Sequence, residues 1–363
     1  MSHRVVAWST GTVGRHAIAG IDARDDLELV GVWVSNPEKV GKDAGELAGL
    51  GRELGVKATD DKSTLLALRP DCIVHTAMTD DRIFEAIDEL ISFLEAGVNV
   101  VSSGPVLLQY PIGVLPDDLV DRIRRAAEQG GASLHVNGID PGFANDVLPL
   151  AMTSLSQRID EVRCYEIANY SSYYQPVVMR DIFGFGGPVD ETPMLFQPGV
   201  LSLAWGSVVR QIAAGLDVTL DEPLVEKFER VPSDADLDIA SCLISKGTVA
   251  AVRFEVVGTV DGVPRVVLEH VTRTHPEQMP DWPKPARGEG CYRIDVTGEP
   301  MMSVEFSHHG ENGDHNVSGM IVTAMRLVNS VHAVVEAQPG LVTALDLPLV
   351  TGRGLCVRSR SAP

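Results

Sequence analysis

Residues 4–18 read Arg4-Val5-Val6-Ala7-Trp8-Ser9-Thr10-Gly11-Thr12-Val13-Gly14-Arg15-His16-Ala17-Ile18. An apolar, β-branched run stops at a Ser-Thr-Gly turn and passes straight into a helix-compatible segment, the order in which a dinucleotide-binding unit begins. Gly11 lets the backbone approach a pyrophosphate and Gly14 lets the new helix lie against the strand, while the helix N-terminus offers N–H groups to the anion. Ser9 stands where the G-x-G-x-x-G fingerprint has its first glycine. The segments that follow must therefore decide between a phosphate site and a plain strand-to-helix connection.

They favour the phosphate site. Apolar strand patterns recur at 27–34, 71–76, 99–103 and 134–137, with helical patterns at 81–96 and 116–129. Alternation at this spacing predicts an α/β fold, a Rossmann-type doubly wound parallel sheet with helices on both faces. In such sheets ligands collect at the C-terminal strand ends. Ser9, Thr10, Gly11, Thr12, Val13 and Gly14 are the expected residues of the phosphate turn, with Arg15 there as a second cation for a 2′-phosphate, and Thr76, Ala77, Ser102, Ser103 and Asn137 lie at later strand ends. After the second strand, where an acid would accept the ribose hydroxyls of NAD, the chain has Ser35, Asn36 and Lys39. Two small hydrogen-bonding side chains and a cation suit a 2′-phosphate, so NADP(H) is the expected cofactor and NAD(H) the alternative; Glu38 is the feature that speaks against NADP.

Composition bounds the rest. A chain of 363 residues exceeds a usual single domain. A formal net charge of −20 excludes a sequence-independent nucleic-acid binder, which needs a basic surface. Cys72, Cys164, Cys242, Cys291 and Cys356 form no C-x-x-C pair and read as reduced thiols of a cytoplasmic protein. No signal segment is evident at the N-terminus, and no stretch reads as a membrane span, so no membrane partner is expected.

After Asn145-Asp146, which read as a helix cap, the character changes. A strand at 159–168 leads to Tyr170, Tyr173 and Tyr174, a breaker-rich loop follows at 183–188, and a helix at 200–214. Segments 248–260 and 265–274 flank an Asp261-Gly262 hairpin turn, and further alternating segments lie at 290–297 and 301–308. The predicted organisation is a dinucleotide-binding domain at 1–146 and an α+β substrate and dimerisation domain with a mainly antiparallel sheet at 147–315. A C-terminal helix and tail at 316–363 are expected to return to the first domain. His308, His309 and His315 lack zinc spacing, so no metal is expected.

Three stretches together resemble one family: the opening Ser-Thr-Gly-Thr-Val-Gly-Arg turn, the segment Asn137-Gly-Ile-Asp-Pro-Gly-Phe-Ala-Asn-Asp-Val-Leu-Pro-Leu150, and residues 328–341 with Asp346-Leu-Pro348. The chain is similar to the 2,4-diaminopentanoate dehydrogenase and native amine dehydrogenase group, related to dihydrodipicolinate reductases. The resemblance implies a homodimer that passes hydride between a nicotinamide and an imine formed from a small ketone or aldehyde and ammonia. That substrate is a small-molecule carbonyl or imine. It also implies that Asn329 meets the nicotinamide amide. Where such enzymes carry a glutamate for ammonia or the iminium, this chain has Ser102-Ser103-Gly104-Pro105-Val106-Leu107. Asp140 is the candidate substitute for that charge, and Tyr110 or Tyr173 the candidate proton source. Two alternatives stay open: reduction of a preformed cyclic imine in the manner of dihydrodipicolinate reductases, and a non-catalytic NADP sensor.

Overall fold

The computed structural model describes residues 2–310 and 313–356. β1 (His3–Trp8) is followed by α1 (Gly14–Asp22), β2 (Leu27–Trp33), α2 (Ala44–Ala48), β3 (Ala58–Thr59), α3 (Lys62–Ala67), β4 (Cys72–His75), α4 (Ile83–Glu95), β5 (Asn99–Ser102), α5 (Asp117–Gly130) and β6 (Ser133–Val136). Then come α6 (Val147–Thr153), β7 (Arg158–Asn169), α7 (Val200–Gly215), β8 (Val225–Pro232), β9 (Leu237–Asp238), β10 (Leu243–Ile244), β11 (Val249–Val260), β12 (Val263–Arg273), β13 (Gly290–Glu299), β14 (Met302–Phe306), α8 (His315–Val335) and β15 (Gly340–Leu341). The chain divides into two compact units. Tyr110–Val114 and Ile139–Gly319 form the second, and the rest of the described chain forms the first.

The first unit is a parallel seven-stranded sheet in the order β15-β6-β5-β4-β1-β2-β3. Six of these strands give the 3-2-1-4-5-6 order of a Rossmann sheet. The seventh comes from residues 340–341, too short to show periodicity in the sequence. Val5, Ala7, Ile18, Ile21, Val32 and Val74 build its core against one stripe of α8, Ala324, Leu327, Val328, Val331 and Val334. The spacing of that stripe, three or four residues, is what one face of a helix demands. α1 and α8 approach closely where Gly20 faces Met325; a Cβ there would lie 2.2 Å from the Met325 Cε.

Two expectations need correction. α8 is long and apolar enough, by length and composition alone, to cross a membrane, contrary to the absence of any such segment; its buried stripe shows that this apolarity serves the core of the first unit. The dividing point falls after Gly138 and not after Asp146. Residues 139–146 fold on themselves: Ile139 and Gly142 form a β-bridge, and the N–H groups of Asn145 and Asp146 both donate to the Gly142 carbonyl. Asp146 then caps α6 by accepting the N–H of Val147, as the sequence suggests.

The second unit holds a six-stranded sheet in the order β14-β13-β7-β12-β11-β8. Four of its pairings are antiparallel, and β7 with β12 is parallel. The β11–β12 hairpin turns at Asp261 and Gly262, both at positive φ, as the Asp-Gly pair predicts. β8, sequence Val-Glu-Lys-Phe-Glu-Arg-Val-Pro, carries no clean alternation because it is a largely exposed edge strand. Val208, Val209 and Ile212 of α7 pack against Val252, Phe254 and Val256 of β11 and Leu268 of β12.

Candidate functional site

Ser9 adopts φ of 102°, a backbone conformation that glycine supplies at no cost, so the turn keeps the fingerprint geometry although the residue differs. Its hydroxyl accepts the Gly11 N–H at 3.2 Å. A Cβ on Gly14 would stand 2.3 Å from the Ser9 carbonyl oxygen and 2.9 Å from Thr76 Oγ1, so only glycine lets α1 start here. A Cβ on Gly11 would meet only Ser9 Oγ, at 3.6 Å, and Gly11, Thr12 and Arg15 are exposed. The open backbone cradle at a helix N-terminus fits a pyrophosphate.

Lys39 adds a cation to that cradle. Asn36 caps the short 3-10 turn Pro37–Lys39 by accepting the Glu38 N–H at 2.9 Å. The turn delivers the Lys39 ammonium to Thr10, where it donates to Oγ1 at 3.0 Å and to the carbonyl at 3.3 Å. Ser35 and Asn36 are exposed beside it. Thr76, Ala77 and Ser103 are partly exposed at their strand ends, Thr76 Oγ1 donating to the Trp8 carbonyl at 3.3 Å.

Three residues expected at the cofactor are engaged elsewhere. Ser102 is fully buried; its hydroxyl lies 2.9 Å from His75 Nδ1 and accepts the Gly104 N–H at 3.2 Å. Asn137 is buried and accepts Arg326 Nε at 2.9 Å. Asn329 accepts a hydrogen bond from Arg24, which follows the C-terminus of α1 and pairs with Asp26 ahead of β2. That is the edge of the sheet opposite the strand C-termini, because α1 has carried the chain back across it. Asn329 thus stands with Arg24, while the cofactor is expected at the other edge.

A second constellation lies within the second unit. Phe228, Phe254, His270, Glu166, Tyr292 and Phe306 are successive register partners across β8, β11, β12, β7, β13 and β14. Register partners share a face, so one row of five rings and one carboxylate crosses the whole sheet. At its centre His270 is 3% exposed, stacked on Phe254 at 4.7 Å and edge-on to Trp205 at 4.8 Å. Its Nε2 lies 3.3 Å from Asp140 Oδ2, and its Nδ1 lies 3.8 Å from Glu166 Oε1. Neither ring nitrogen makes an aligned hydrogen bond.

The two carboxylates are otherwise well served. Asp140 Oδ1 accepts Asn145 Nδ2 at 2.7 Å and Trp205 Nε1 at 3.2 Å, and Glu166 accepts the Tyr170 hydroxyl. The carboxylate and imidazole atoms of Asp140, Glu166 and His270 lie within 4.8 Å of one another. N–H and O–H donors thus occupy one oxygen of each carboxylate, and the imidazole sits between the two groups. Burial pushes Glu166 up, and Tyr170 and Tyr292 well up, with the Glu166 charge adding to both tyrosines. Burial alone would lower His270, but the charges of Asp140 and Glu166 outweigh it and raise it.

Of the candidate catalytic residues, Asp140 joins this cluster, but its side chain is only 2% exposed and its Oδ1 is taken by Asn145 and Trp205. Tyr173 packs its ring 4.7 Å from Tyr170. Tyr110 is partly buried and belongs to the second unit. Glu166 and His270 were not foreseen, although a signal exists: each stands at a core position of its strand, in phase with Val162 and Cys164 or with Val266 and Leu268. A charged residue at core parity marks a polar cluster. In the loop 308–315, where Glu311 and Asn312 lie outside the described residues, His308 stacks on His315 at 4.5 Å and faces Ser318 Oγ at 2.7 Å.

A Rossmann sheet whose first turn keeps a glycine's geometry at Ser9, carried on one chain with a mixed-sheet unit, is an architecture that nicotinamide-dinucleotide oxidoreductases use. Residues 143–359 match the 2,4-diaminopentanoate dehydrogenase C-terminal domain family, and residues 4–101 match the dihydrodipicolinate reductase N-terminus family. The sequence is 42% identical over 361 residues to an amine dehydrogenase of Streptomyces virginiae, covering 98% of this chain and 99% of the relative. It is 27% identical over 362 residues to the 2,4-diaminopentanoate dehydrogenase of Acetoanaerobium sticklandii, covering 95% and 93%. The fold superposes on an amine dehydrogenase from Mycobacterium smegmatis with a TM-score of 0.78 at 22% identity, covering 97% and 98%. The chain belongs to the amine dehydrogenase and 2,4-diaminopentanoate dehydrogenase family.

Proposed function

We propose that the protein is an NADPH-preferring oxidoreductase acting on C=N and CH–NH2 groups of a small substrate, such as an imine formed from a ketone or aldehyde and ammonia. When bound, the nicotinamide supplies or takes the hydride. The full-length identity to an amine dehydrogenase carries the substrate class. The Lys39 ammonium at Thr10, with Ser35 and Asn36 exposed beside it, supports the cofactor preference. Backbone N–H groups of the Ser9–Gly14 turn hold the pyrophosphate, and Lys39 neutralises phosphate charge next to it. Free cysteines throughout and the eight-residue, largely exposed edge strand β8 support a cytoplasmic homodimer.

Thermal protection by NADPH exceeding that by NADH, followed by turnover of ketones or aldehydes with ammonium, tests this directly. Protection by NADH alone would reverse the cofactor assignment. One observation favours a second reading, reduction of preformed cyclic imines. In the region where relatives are expected to carry a glutamate, a Cβ on Gly104 would lie 2.5 Å from Thr79 Oγ1 and Ser102 is buried, leaving no room for an acid at either position. Comparing rates on a cyclic imine and on ketone plus ammonium separates the two.

A further inference from the structure

The Tyr170 hydroxyl, Glu166, His270 and Asp140 follow one another through the interior of the second unit. Tyr170 donates to Glu166 Oε1, the same oxygen lies 3.8 Å from His270 Nδ1, and His270 Nε2 lies 3.3 Å from Asp140 Oδ2. Asn145 and Trp205 pin Asp140 at the inner end. Three of the four side chains are more than nine-tenths buried, whereas Tyr170 is only partly so. An imidazole with two distinct nitrogens, each facing a different carboxylate and neither locked in an aligned hydrogen bond, is the element that can pass a proton from one side to the other.

We propose that these four residues form a proton relay and that the Tyr170 hydroxyl is its outer end, the catalytic group of this unit that exchanges a proton with the substrate nitrogen. The proposal rests on the C=N reading above. Reduction of C=N adds a hydride to carbon and a proton to nitrogen. The hydride is the cofactor's. The N–H bond forms with the proton leaving the Tyr170 oxygen once its O–H turns from Glu166 Oε1 to the substrate, and the oxygen then regains a proton that leaves His270 Nδ1 and is handed across Glu166. His270 is left neutral, with Asp140 at Nε2 balancing the imidazolium charge before the transfer, and after product release a solvent proton returns through Tyr170, the partly exposed member, and Glu166; oxidation of an amine runs the same transfers backwards. The 3.8 Å step closes through a small rotation of the Glu166 carboxyl group.

His270 and Glu166 are positioning residues in this scheme, because they act through Tyr170. The groups facing His270 are Asp140 from the turn after β6, Glu166 from β7, Trp205 from α7 and Phe254 from β11; Glu269, its chain neighbour, adds negative charge from the opposite face. Tyr292 of β13 stands beside Glu166 in the row, with His308 and His315 stacked beyond it.

The test uses the full-length protein with NADPH and a cyclic imine, and NMR of histidine-labelled protein across pH. Tyr170→Phe keeps the ring against Tyr173 and Phe183, and is expected to lower kcat about 100-fold or more with the KM for NADPH unchanged. Glu166→Gln is expected to move the pH at which kcat changes, and both Glu166→Gln and Asp140→Asn to shift the His270 titration to lower pH. A Tyr170→Phe kcat within about threefold of the unsubstituted protein, or an unmoved His270 titration in both carboxylate variants, overturns the relay. If the unsubstituted protein turns over no imine or amine at all, the C=N reading falls instead, and the His270 titration decides the relay alone. Titration with Zn²⁺ that shifts His270 stoichiometrically, and no longer does so in Asp140→Asn, also overturns it, in favour of a metal site.

Discussion

His270 of β12 and Glu166 of β7 are direct register partners in the parallel pairing of the second sheet, and the imidazole Nδ1 faces the carboxylate at 3.8 Å. Polar groups buried this far persist where their charges compensate each other, since an isolated charge in that position would cost several kcal/mol. His270→Leu is therefore expected to leave Asp140 and Glu166 as uncompensated neighbours and to destabilise the second unit by roughly 3–5 kcal/mol. Denaturant unfolding checks this, and a change below about 1 kcal/mol would contradict the ion-pair account.

Gly14→Ala puts a methyl 2.3 Å from the Ser9 carbonyl oxygen, which has no side-chain freedom with which to yield. The turn must open or α1 must slide. Binding of NADPH, followed by its fluorescence, should weaken at least about tenfold, and stability should fall by about 1–3 kcal/mol. By contrast Gly11→Ala meets only ordinary contact and should cost much less stability.

Lys39→Ala removes the ammonium that donates to Thr10. A charge-assisted hydrogen bond to phosphate is worth about 1.5–3 kcal/mol. NADPH affinity should thus fall roughly 10- to 100-fold while NADH affinity changes much less, as calorimetry of the two cofactors would show. Equal losses for both would mean that Lys39 serves the pyrophosphate and not a 2′-phosphate.

His135, fully buried on β6, faces the Val342 carbonyl at 2.8 Å through Nδ1, and its Nε2 has no partner. Burial pushes its pKa down to about 4 from the usual 6.5. The folded chain therefore holds it neutral while the unfolded chain binds a proton below about 6.5. Its stabilising contribution is complete above that pH and is lost as the pH falls towards 4, by roughly 3 kcal/mol at most. Unfolding free energies measured between pH 7 and 4 should show this slope, and His135→Gln should flatten it.

Leu327 lies fully buried in the α8 stripe, whereas Leu349 is 81% exposed. Leu327→Ala should cost about 2–5 kcal/mol and Leu349→Ala within about 0.5 kcal/mol, read as midpoints of thermal or denaturant unfolding. Near-equal effects would mean that α8 is not a core helix.

Much of the first unit was legible because each of its signals is local. Strand, turn and helix follow one another within residues 4–18, so the phosphate turn could be recognised without any distant contact. The same holds for β2, β4, β5 and β6, whose apolar runs come from burial on both faces of a parallel sheet. β3 and β15, two residues each, and the exposed edge strand β8 left no periodic trace. Chain position puts Ser102 and Asn137 at the cofactor and the resemblance puts Asn329 there, whereas their side chains bond to His75, Arg326 and Arg24, partners that no local pattern announces.

By itself the sequence determined the dinucleotide turn, the alternation that makes a Rossmann sheet, the Asp-Gly hairpin and the family to which these motifs point. It does so because hydrophobic period, turn chemistry and helix starts are set by neighbours within a few residues. Only the tertiary structure decided that Ser9 takes a glycine's conformation, that Lys39 reaches Thr10, and that Asp140, His270, Glu166 and Tyr170 meet. That last meeting depends on the register of β7 against β12, and a slip of one residue would turn every side chain to the other face. Register is fixed by the packing of the whole sheet, so the charge cluster became visible only once that sheet was assembled.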